Sequence, residues 1–205
     1  MNQQESYNLA VDYMKDELFD EALIILENMV NENVTFDQAR WVTGLAYVFT
    51  GYPAKALQIW SEITDKYCNG VMQAMETVEA KLPLYQKIYQ TYNDALMHVF
   101  NSDYQRAAIL FEETIGLRWE VPLPVECYQG YILTKIIVGD EKLAFDEMIN
   151  LPAYIRKRLV IQELGEELHH YLAEYRNSKA IFTDKIRRRS NMLDLFKRWL
   201  QNTLR

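Results

Sequence analysis

The stretch Arg40-Trp-Val-Thr-Gly-Leu-Ala-Tyr-Val-Phe-Thr-Gly-Tyr-Pro-Ala-Lys-Ala-Leu-Gln-Ile-Trp60 decides the fold. Apolar residues recur at helical spacing on both sides of Gly51-Tyr52-Pro53, so it reads as two short amphipathic helices joined by a turn. The same pattern of small and large residues stands 34 positions earlier: Gly44 answers Ala10, Tyr47 answers Tyr13, Ala56 answers Ala22 and Trp60 answers Leu26. The small residues let two helix backbones approach, and the large ones fill the space beside them.

A 34-residue period with a small residue, an aromatic three later and an alanine nine beyond is the signature of the tetratricopeptide repeat, and the chain resembles a TPR protein. The period places repeat one over 3–36 and repeat two over 37–70. It then breaks. Val71, Met75, Val78 and Leu82 predict an extra helix over 71–82 that ends before Pro83. A third repeat, shifted by 17 residues, covers 88–121, with Ala95 in the place of Gly44, Asn101-Ser-Asp103 as its turn, and Ala107 and Phe111 in the places of Ala56 and Trp60. Asp94 falls where the family carries an apolar residue. A degenerate fourth repeat covers 122–155, with Gly139-Asp-Glu141 as its turn, Ala144 and Met148 matching Ala56 and Trp60, and Ile132 replacing the small residue.

Residues 1–155 thus form the repeat domain, and 156–205 form a helical extension expected to pack on it. One long helix is predicted from Pro152 to about Arg176. A second follows Asn177-Ser178, with Phe182, Ile186, Leu193, Phe196, Leu200 and Leu204 in one stripe. From Ser178 to the end there are eight Lys or Arg and two Asp, so this segment carries +6 while the rest of the chain carries −13.

Composition narrows the function. The chain has 205 residues, 49% of them apolar, with seven Gly and five Pro; few turn residues and no sustained β alternation argue for an all-α fold. A net charge of −7 disfavours non-specific nucleic-acid binding. Cys68 and Cys127 fit neither a metal spacing nor a disulfide framework and read as reduced thiols of a cytoplasmic protein. The first residues lack the basic and apolar regions of a signal peptide, and no stretch has the length and apolarity of a membrane span.

In TPR stacks the first helix of each repeat lines a concave groove. Carried over by register, the resemblance places Tyr7, Val11 and Met14, then Trp41, Leu45, Val48 and Phe49, then Tyr89, Tyr92, Leu96, Val99 and Phe100, and finally Leu133, Ile136 and Ile137 in that groove. All are apolar or aromatic, and a monomer rarely exposes so large an apolar patch. The expectation is a non-catalytic, adaptor- or chaperone-like module that binds a helical or extended segment of another protein. The alternative is a self-capped or homodimeric structural protein whose basic C-terminal helix fills the groove, and the charge asymmetry favours such contact. The chain is also similar to the small acidic TPR chaperones of type III secretion that hold hydrophobic translocators, although it adds two long C-terminal helices. TPR domains that clamp a partner's terminal carboxylate use Lys, Arg and Asn at places that here hold Tyr7, Val11, Val42, Tyr89 and Asn93, so no such clamp is expected.

Other chemistry has little footing. Arg187-Arg188-Arg189, with Phe196 and Trp199, suits an anionic membrane or phosphates, but the cluster is short and a solvated helix face explains it. Glu166-x-x-His169 and Glu167-x-x-His170 overlap on one predicted helix and lack the second helix that a di-iron site needs. There is no phosphate loop, nucleophile elbow or His-Glu-x-x-His. No enzymatic activity, cofactor or metal is expected.

Overall fold

The computed structural model describes residues 2–32, 37–64 and 70–159. All regular structure within them is helical: α1 (Gln3–Lys15), α2 (Phe19–Glu32), α3 (Asp37–Phe49), α4 (Pro53–Ser61), α5 (Val71–Phe100), α6 (Tyr104–Gly116), α7 (Val125–Val138), α8 (Glu141–Asn150) and α9 (Ala153–Arg158), with one 3-10 turn at Leu117–Trp119. The chain forms two compact units. One comprises Met1–Thr91 and Gly116–Pro124, the other Tyr92–Ile115 and Val125–Arg205.

The same helix–turn–helix joint recurs four times. Glu17, Gly51, Ser102 and Gly139 take left-handed φ values of 57°, 85°, 60° and 96°. The next residues, Leu18, Tyr52, Asp103 and Asp140, donate their N–H to the carbonyls of Tyr13, Tyr47, His98 and Lys135, each at 2.8 Å. This is the Schellman closure, which satisfies carbonyls that a helix end would leave orphaned. The following helix starts identically each time, with the N–H groups of Ala22, Ala56, Ala107 and Ala144 bonding back to Leu18, Tyr52, Asp103 and Asp140 at 3.0–3.2 Å. These four alanines are fully buried, as are Ala10, Ala95 and Ile132 on the preceding helices. Asp94, out of place in the repeat pattern, points to solvent while Ala95 takes the buried position.

Small–large pairing sets the spacing within each hairpin. In the first, Ala10, Ala22 and Leu26 share a core cluster with Met29, Val30, Ala39 and Val42. In the second, Trp60 fills the space that Gly44 leaves open and donates its indole N–H to the Trp41 carbonyl at 3.0 Å. In the other unit, Phe111 lies against Gly130 of α7 and meets the Tyr92 ring edge-on, with centroids 5.7 Å apart. The ends of α3 and α4 are tied by charge. Buried Arg40 faces Asp37 and Glu62 at 3.4 and 3.5 Å, and Asp37 also accepts the Thr64 N–H at 3.0 Å. The outward face of α1 carries the exposed polar residues Gln3, Gln4, Glu5, Asn8, Asp12 and Lys15.

Two expectations are corrected. The helix predicted over 71–82 does not end before Pro83: α5 runs for 30 residues, with the proline inside it. Buried Val71, Val78, Tyr85, Tyr92 and Val99 recur every seventh residue, with Ile88 and Ala95 on the same side. One continuous buried stripe outweighs the roughly 3 kcal/mol that an interior proline costs. Pro83 itself lies on the exposed side. The long helix predicted from Pro152 to Arg176 ends at Arg158, because Leu159 turns extended (φ −67°, ψ 123°) and buries its side chain. The rest of that prediction, the second C-terminal helix, the paired Glu-x-x-His motifs and Cys68 lie outside the described residues.

Candidate functional site

The residues assigned to a groove are placed differently in the two units. In the first, Tyr7, Val11 and Met14 are half-buried and pack against the cluster of α1, α2 and α3. Trp41 joins that cluster and the next, its ring tilted 30° against that of Trp60 with centroids 5.2 Å apart. Leu45 and Val48 pack with Ala56, Trp60, Val71 and Val78. Tyr89 is half-buried, and its hydroxyl donates to the Gly51 carbonyl at 2.7 Å, so it braces the turn of the second hairpin. Gly51 also takes the chain of the 116–124 segment at close range, since a Cβ there would lie 2.4 Å from the Pro124 nitrogen. Phe49 stays open, 45% exposed, stacked on the buried ring of Phe19 at 5.3 Å and 13°.

In the second unit Tyr92, Leu96 and Val99 are buried on α5, and Leu133, Ile136 and Ile137 are buried on α7. Every residue of α7 from Cys127 to Ile137 is buried, so no face of that stretch meets water. Phe100 is 66% exposed. The lining is apolar, as its residue types require, but neighbouring helices use most of it to pack on one another.

Phe49 and Phe100 hold the same place in their repeats, two residues beyond Tyr47 and His98, whose carbonyls close the turns. The fourth repeat has Ile137 there, only 8% exposed. Sequence reading missed Met97, which is 61% exposed one helical turn before Phe100 and so extends the same open face. It also missed Trp119, 83% exposed with the Arg118 guanidinium 5.1 Å from its ring centre. Trp119 was legible as a large apolar residue outside the repeat pattern, whereas Met97 stands in register with the fully buried Ala46, so the pattern pointed to burial and not to an open face.

The turn after Phe100 borders a recess of about 250 Å³ lined by Ser102, Asp103, Tyr104, Gln105, Ile137 and Val138. Asp103 lies 3.0 Å from His98 Nδ1 and caps α6 by accepting the Arg106 N–H at 3.3 Å. Nearby in the same unit Lys135 is nearly buried, 2.8 Å from Glu112 and 3.6 Å from Asp140. Burial opposes its charge, but the Glu112 hydrogen bond and the charges of Glu112, Tyr131 and Asp140 outweigh it and hold the ammonium above its ordinary pKa.

Reactive groups are quenched. Burial, helped by Glu126, pushes the Cys127 thiol up, so it stays protonated and a poor nucleophile. Burial and the hydrogen bond to Glu27 likewise raise the Tyr47 phenol. Among the described residues no three His, Cys, Asp or Glu side chains gather as a metal site, and no helix is long and apolar enough to cross a membrane. No known protein family, curated protein or solved structure matches this chain.

Proposed function

We propose that this chain is a TPR-like, non-catalytic interaction module of the cytoplasm that holds an apolar helical or extended segment of another protein, in an adaptor or chaperone role. The observation that carries the reading is the repeated hairpin with an exposed phenylalanine at one equivalent place, Phe49 in one unit and Phe100 in the other. A large aromatic left open on a rigid helix end is the kind of anchor that dominates protein interfaces.

The test is affinity capture from the source cells with the wild-type chain, Phe49→Asp and Phe100→Asp. A protein held by the wild type and released by either variant supports the reading. Equal retention by all three, or recovery of no protein, sinks it.

A second reading, a self-capped or homodimeric structural protein, is favoured by the burial of α7 on all faces. Light scattering on the full chain and on residues 1–177 separates the two. A monomer that aggregates on truncation, or a dimer that dissociates, favours the structural reading; two soluble monomers exclude it.

A further inference from the structure

We infer that the recess beside the turn between α5 and α6 is a socket for a tyrosine side chain of the partner's segment. This deepens, and rests on, the reading of the chain as a module that holds a segment of another protein. The repeat register gives the reason. Glu17, Gly51, Ser102 and Gly139 mark the same point of four joints. Phe49 stands two residues before that point in its hairpin, and Phe19 stands two residues after it in the hairpin before. Their rings stack at 5.3 Å and 13°, so an aromatic pair of the chain's own fills the seam between the first two hairpins. Counted the same way, the third and fourth hairpins have Tyr104 and Ile137 in those places. Both line the recess of about 250 Å³. An isoleucine where a phenylalanine would close the seam leaves room for one ring, and an apolar cavity of about 150 Å³ already takes benzene.

The lining selects the ring. Ile137 is buried and Val138 and Tyr104 are half-buried, which gives apolar contact, whereas Ser102, Asp103 and Gln105 are exposed and polar. Such a lining suits a side chain with an apolar body and a polar tip. Tyrosine matches the phenylalanine ring in size and adds a donor at its end. Asp103 is the acceptor. One of its oxygens takes the Arg106 N–H at 3.3 Å, and the other lies 3.0 Å from His98 Nδ1. An ionised carboxylate offers about four lone-pair sites, so these two contacts leave capacity for a phenol O–H. Phe100, 66% exposed, stands at the same helix end, two residues before Ser102. Anchor and socket therefore belong to one joint.

NMR titration of the full-length chain with N-acetyl-tyrosine amide tests this, with the phenylalanine and leucine amides for comparison and molecular mass followed by light scattering. Saturable shifts should fall on the backbone amides of 102–105, 137 and 138, with a Kd on the order of millimolar for so small a ligand. The phenylalanine amide should bind about threefold or more weakly, since it makes no hydrogen bond to the carboxylate, and the leucine amide should not bind detectably. Ile137→Phe, which restores the ring that the second hairpin carries, should abolish binding. Asp103→Asn, which keeps a capping residue at the start of α6, should remove most of the preference for tyrosine. Urea midpoints show whether each variant is folded; if Ile137→Phe does not fold, Asp103→Asn decides. No shift at 102–105, 137 and 138, or equal binding of all three amides, overturns the inference. So does free tyrosine that binds more tightly than its blocked amide, which would make the occupant a metabolite. A mass that rises with concentration and falls when the amide is added overturns it too, since the occupant would be a second copy. Partner capture is read separately, with Ile137→Phe beside the wild type. A protein held equally by both defeats this inference alone. Amide binding as expected, with no protein ever recovered, leaves the socket standing and defeats the functional reading.

Discussion

The indole of Trp60 occupies the volume that a Cβ on Gly44 would take: built there, the Cβ lies 2.0 Å from Nε1. Trp60 is 1% exposed and fixed by its hydrogen bond to Trp41, so it has nowhere to move. Gly44→Ala should therefore destabilise the fold by about 1–3 kcal/mol or more, the usual cost of overpacking, although alanine is the better helix former. Urea denaturation measures it, and a neutral or stabilised variant would contradict the packing described.

Gly51 and Gly70 both have positive φ, 85° and 72°, but only Gly51 is crowded. Gly70→Ala should lose about 1 kcal/mol from backbone strain alone. Gly51→Ala should lose clearly more, because its Cβ would meet Leu123 and Pro124 backbone at 2.4–2.5 Å. The difference between their urea midpoints checks this. Equal losses would mean that the 116–124 segment does not rest on the turn.

Ser102 sits at φ 60°, where Gly51 and Gly139 stand in two of the other joints. A left-handed conformation costs an L-residue roughly 1–2 kcal/mol, so Ser102→Gly should raise stability, less the greater freedom that glycine gains on unfolding. A gain of about 0.5–1 kcal/mol in chemical denaturation is expected.

Pro83→Ala should also stabilise. The helix already continues through residue 83, the site is exposed, and alanine restores a backbone donor. A gain of about 1–3 kcal/mol is expected. A loss would show that the proline is required for the shape of α5.

Stability should fall in alkali. Burial pushes the Tyr85 phenol from 10.0 up to about 12, so above pH 10 the unfolded chain releases a proton that the folded chain keeps. The folded state gains from this group below pH 10, and the gain is lost between pH 10 and about 12. Lys135, held above its ordinary 10.5, acts in the same direction, since its paired ammonium favours the folded state until it deprotonates. Tyr85→Phe and Lys135→Met should each flatten the fall, measured as urea midpoint against pH.

The sequence alone determined the hairpins. Ala10, Gly44, Ala22 and Ala56 are buried where the 34-residue period placed them, because close helix approach demands small side chains at fixed spacing. The turns at 101–103 and 139–140 were legible for a similar local reason: the chain must reverse there, and those residues close the preceding helix. The continuity of α5 was written in the seven-residue spacing of Val71, Val78, Tyr85, Tyr92 and Val99, but Pro83 carried more weight in the reading than a packed stripe allows it. The choice between core and open surface was not legible. Leu96 and Phe100 are both apolar, four residues apart on one helix, yet one is buried and the other is 66% exposed. A side chain's type states what it tolerates; which neighbour reaches it is set by how successive helices pack, and only the tertiary structure decides that.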